Sequence, residues 1–118
     1  MLSDLIVLDS VDALERLIVA SEARLVLLFK HSLTCGTSAQ AHDELVAHLS
    51  EGRHATQHAI VTVQTHRDVS DEVATRLDVR HETPQALLIR EGRVVWEVSH
   101  FNVTADTIKD AIERHYTS

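Results

Sequence analysis

The sequence predicts an α/β architecture, a central mixed β-sheet flanked by helices on both faces, with elements in the order β-α-β-α-β-α-β-β-α. Three observations lead there. Short apolar runs alternate with stretches whose apolar residues recur at helical spacing. Leu25 to Phe29 is apolar at every position, as a strand buried on both faces requires. Glycine (3), proline (1) and aromatic residues (3%) are scarce, which disfavours an all-β sandwich with its frequent turns.

The elements follow in order. Leu5 to Leu8 is long enough only for an edge strand. Asp9 or Ser10 then caps a helix whose Val11, Leu14, Leu17 and Ile18 share a face. Leu25 to Phe29 is the central strand, and helical spacing returns from about Thr37 through Ala41, Leu45, Val46 and Leu49, with Gly52 as the stop. Ala59 to Val63, rich in β-branched residues, is the next strand. Asp68 or Ser70 opens a helix with Val69, Val73, Ala74 and Leu77 on one side. Pro84 precedes a strand through Ala86 to Ile89, Glu91-Gly92 turns the chain, and Val94 to Val98 returns. Thr104 caps the last helix, with Ile108, Ala111, Ile112 and Tyr116 on one face. The alternation implies parallel pairing, with the hairpin adding one antiparallel edge.

A chain of 118 residues fits one domain, 1–118. Its formal charge of −7 argues against nonspecific nucleic-acid binding and against an anionic membrane surface. No apolar run approaches the ~20 residues of a membrane helix. Met1 to Leu8 holds an aspartate and no basic group, unlike a signal peptide. The single cysteine allows no internal disulfide. A cytoplasmic, reducing location is the expectation.

That cysteine, Cys35, lies six residues past Phe29 and opens the next helix. The position is the carboxyl end of a central strand, where open α/β sheets place their ligands. Unpaired N–H groups and the positive end of the helix dipole favour a thiolate there, and Lys30 and His31 are placed to add charge. In Cys35-Gly36-Thr37-Ser38, Ser38 stands where a dithiol motif has its second sulfur. Its hydroxyl can donate to the Cys35 sulfur or satisfy amides of its own helix, but it cannot form a disulfide. Any redox cycle is therefore monothiol, completed by an external thiol.

Further stretches carry a resemblance. Phe29-Lys30-His31-Ser32 leading to Thr34-Cys35, then Ser38-Ala39, Val69-Ser70, Val79-Arg80-His81-Glu82, Thr83-Pro84-Gln85, Val95-Trp96 and Ser99-His100-Phe101 resemble the YtxJ family of monothiol bacilliredoxins, bacillithiol-system proteins of the thioredoxin superfamily. The resemblance implies a thioredoxin-like fold and a thiol–disulfide oxidoreductase that uses Cys35 to remove bacillithiol from client proteins. It implies bacillithiol as co-substrate, no tightly bound cofactor, and a cis Pro84 with Thr83 presenting backbone groups to the substrate disulfide. The partners are then bacillithiolated proteins and a low-molecular-weight thiol, met by a monomer or weak dimer. The family usually has proline after the cysteine, where this chain has Gly36. Cys-Gly-Thr-Ser is also similar to the Cys-Gly-Phe-Ser of monothiol glutaredoxins, which share iron–sulfur clusters across a dimer, but their later Gly-Gly pair is missing. A redox-inert interaction domain is the third reading.

Nine histidines invite a metal, and no metal site is expected. His54 and His58 fall in a predicted loop, and His42 and His48, six apart, point away from each other on a helix. Scattered surface histidines are the expectation, with His31 tuning the thiol and His81 near it as a scaffold residue. Trp96 is read as packing.

Overall fold

The structure, a computed structural model, describes residues 5–51 and 55–116. Its elements are β1 (Leu5–Val7), α1 (Val11–Ala20), β2 (Val26–His31), α2 (Gly36–Leu49), β3 (Gln57–Thr62), α3 (Arg67–Leu77), β4 (Gln85–Arg90), β5 (Arg93–Ser99), a 3₁₀ turn (His100–Asn102) and α4 (Ala105–His115). The five strands form one sheet in the order β1-β3-β2-β4-β5. β1 is an edge, and β2 lies at the centre.

Alternation along β2 builds two cores. Val26 and Leu28 join Leu14 and Leu17 of α1 and Val69 and Val73 of α3 on one face. Leu25, Leu27 and Phe29 join Ala41 and Leu45 of α2 and Ile108 and Ala111 of α4 on the other. Trp96 packs against this second core. Ser10 caps α1 by accepting from Ala13 N at 3.0 Å. Thr104 and Thr107 form a reciprocal capping box on α4. At the hairpin, Glu91 and Gly92 both have positive φ (52° and 74°), the twist that joins antiparallel strands through two residues.

Several boundaries differ from expectation. β2 continues through Lys30 and His31, which pair with Val61 and Thr62 of β3 despite their polarity. Cys35 therefore stands four residues past the strand, not six. α3 begins at Arg67 with His66 as N-cap, and neither Asp68 nor Ser70 caps it; Ser70 is buried inside the helix. α2 ends at Leu49 with Ser50 as its C-cap, while Gly52 and His54 lie outside the described residues. Tyr116 is half exposed at the end of α4, off the buried face.

The larger correction concerns β4, which runs antiparallel to β2 as well as to β5. Antiparallel pairing thus reaches the centre of the sheet. The reason is the link 78–84 between α3 and β4. Seven residues reach at most roughly 23 Å, enough to retrace the ~16 Å of an eleven-residue helix. The chain thereby re-enters the sheet at the end where β2 finishes.

Candidate active site

Cys35 is the N-cap of α2, with extended backbone (φ −112°, ψ 122°) and no side-chain capping bond. The residue is partly exposed. Gly36 and Thr37 begin the helix, Gly36 exposed and Thr37 half-buried. Ser38, fully buried, turns its hydroxyl back to the end of β2. The hydroxyl accepts from Ser32 N at 2.8 Å and lies 2.8 Å from His31 Nδ1. Among the described residues it bonds neither the Cys35 sulfur nor an amide of its own helix. Ser38 ties the first turn of α2 to the strand.

Lys30 and His31 point to opposite faces of β2. His31 stacks on Phe29 and lies 4.9 Å, ring to ring, from His42, which follows Cys35 by two helical turns. Burial, and then His42, hold the His31 pKa below its ordinary value, so the ring is neutral near pH 7 and supplies no charge. Lys30 is buried on the α1/α3 face and donates to His81 Nδ1 at 2.7 Å. Burial pushes its pKa down to about 8, although Asp71 and Glu82 pull it upward. His81 is held below its ordinary value by burial and then by the Lys30 charge. The lysine's hydrogen bond thus goes to His81.

The register brings the proline to this end of the sheet. Lys30 pairs with Gln85, so Pro84 lies beside the end of β2 from which the Cys35 loop departs. The Thr83–Pro84 bond is cis, and Pro84 O accepts from His100 N at 2.9 Å. His100 Nε2 is 2.9 Å from Glu82 Oε1. Leu33 and Phe101 are large apolar residues left exposed at this end.

Sequence reasoning missed Gln64. It follows β3 and reaches Ser32, Leu33 and Thr34, the three residues before Cys35. A lone polar residue after a strand gives no signal; only the β2–β3 register puts it there. The histidines also depart from a surface scatter. His58 belongs to β3, and its Nε2 lies 3.1 Å from His48 Nε2, both rings buried. Among the described residues no three His, Cys, Asp or Glu side chains converge as a metal site needs. No helix among them is long and apolar enough to cross a membrane.

The fold is shared widely. A candidate oxidoreductase with a thioredoxin fold superposes at a TM-score of 0.80 and 34% identity, over 92% of this chain and 94% of its own. A thioredoxin from Fasciola hepatica matches at 0.74 and 23% identity, covering 93% and 98% respectively. A Schistosoma mansoni thioredoxin matches at 0.71 and 24%, covering 93% and 96%. The protein is thus of the thioredoxin fold, in the class of thiol oxidoreductases. More particularly, the pattern of the monothiol bacilliredoxin BrxC family matches residues 6–108, and the chain belongs to that family.

Proposed function

We propose that the chain removes bacillithiol from protein mixed disulfides, with Cys35 as nucleophile. The observation that carries this is a lone, partly exposed cysteine at the N-cap of α2, its side chain making no capping bond. The Cys35 thiolate attacks the bacillithiol sulfur of protein–S–S–bacillithiol. A Cys35–bacillithiol disulfide forms, and the client sulfur leaves as a thiolate that takes a proton from water. A second thiol then attacks the bacillithiol sulfur and releases Cys35, leaving that thiol and bacillithiol joined as a disulfide.

Gly36, Thr37 and Ser38 form the first turn of the helix whose N-cap is Cys35, and Thr34 belongs to the loop that presents it. Lys30 and His31 act through the scaffold, by way of His81 and Ser38. Thr83 and Pro84 orient the substrate disulfide. The chain works as one domain in the cytoplasm, as a monomer or weak dimer, without a tightly bound cofactor.

Mass spectrometry of the chain mixed with a bacillithiolated protein tests this. One bacillithiol should accumulate per chain, on Cys35, until outside thiol is added, and Cys35→Ser should take up none. No adduct on the native chain would remove Cys35 as nucleophile. A different small thiol captured from native extract would replace bacillithiol as the co-substrate.

A further inference from the structure

Ser32, Leu33 and Thr34 link the end of β2 to the Cys35 N-cap, and one side chain from another strand engages all three. Gln64 Oε1 accepts from Leu33 N at 2.9 Å, while its Nε2 donates to Ser32 Oγ at 2.8 Å and to Thr34 Oγ1 at 3.3 Å. The amide orientation follows from these partners, because a flipped group would set its NH₂ against the Leu33 N–H. Ser32 carries the connection onward, since its own N–H donates to Ser38 Oγ. The residues before and after Cys35 are thus fastened to one carboxamide and its neighbour. Gln64 is exposed and belongs to neither core, so none of this serves to fill the interior.

We infer that Gln64 is a positioning residue for thiol exchange, holding residues 32–34 so that the Cys35 sulfur stays at the helix start in line with an incoming disulfide. The inference rests on the proposed role of Cys35. Exchange needs three sulfurs in line, and an ångström of misplacement at a reacting atom costs up to ~10²-fold. Gln64 does not touch the substrate in this role, so its loss should affect the rate at saturation and not the affinity.

Gln64→Met keeps the length of the side chain and removes its hydrogen bonds; Gln64→Ala removes both. With a bacillithiolated protein as substrate, kcat should fall about tenfold in each variant, with KM within about twofold of wild type. The thermal melt should hold. Hydrogen exchange adds a local readout: the Leu33 amide should lose protection while the Phe29 amide in β2 keeps it. Wild-type kcat in Gln64→Met would overturn the inference, as would an effect confined to KM. A melt that falls in step with the rate, or an unchanged Leu33 amide, would do so too. Failure of the wild-type chain to exchange at all is a different result, which removes the proposed function and the inference with it.

Discussion

Ser38 occupies the place of a second cysteine, and its hydroxyl is held between Ser32 N and His31 Nδ1. Removing that oxygen leaves the buried Ser32 amide without an acceptor. Ser38→Ala should therefore cost about 1–3 kcal/mol in chemical denaturation, and a loss under about 0.5 kcal/mol would mean that water or His31 takes over the bond. Ser38→Cys tests the chemistry instead. A sulfur one turn along α2 should displace bacillithiol from Cys35 and close a disulfide, giving a product about 2 Da lighter than the dithiol and free of adduct. A cap that persists would show that residue 38 cannot reach the sulfur. At this scale the sequence displayed Cys35, Ser38 and Pro84, because motif spacing marks them. It hid Gln64 and the Lys30–His81 bond, because those pairs meet only through strand register.

Helix α2 begins at Gly36, where an added Cβ would meet nothing within 4 Å. Proline suits the first helical position, since the N–H it lacks has no intrahelical partner there. It also requires an extended residue before it, and Cys35 already has φ −112° and ψ 122°. Gly36→Pro should therefore stabilise the fold by about 0.4–1 kcal/mol, chiefly by restricting the unfolded chain. A lower melting temperature would mean that the Gly36 N–H or its freedom serves the native loop. Element types were legible because periods of two and of 3.6 differ over even short windows. The end of β2 was not, because Lys30 and His31 break the apolar run while still pairing with β3. The direction of β4 was hidden as well, since nothing in residues 78–84 states that the link runs the length of a helix.

At the scale of the whole molecule, Lys30 is a buried cation whose surroundings disfavour its charge. Unfolded, it keeps its proton to about 10.5; folded, it releases it near 8. Between those values the unfolded chain binds more protons, so stability should rise as pH climbs from about 8 to 10.5 and be lower below 8. Lys30→Met, similar in length and apolar, should be more stable than wild type at pH 7, by on the order of 3 kcal/mol. That advantage should shrink toward pH 10.5, and denaturant midpoints of both proteins across this range decide the matter. A constant difference would mean that Lys30 acts through packing or its bond to His81, not through charge. The returning link 78–84 bears on how the molecule comes together. Parallel pairing unites β2 and β3 around α2 through contacts 31 residues apart, whereas β1 joins β3 across 53 residues and Lys30 meets Gln85 across 55. Closing longer loops costs more entropy and slows folding. Cys35 and Pro84 sit on opposite sides of that closure, so the thiol-bearing half is expected to order first and the proline to arrive late. A newly made chain would then carry its cysteine before Pro84 comes to lie beside the end of β2.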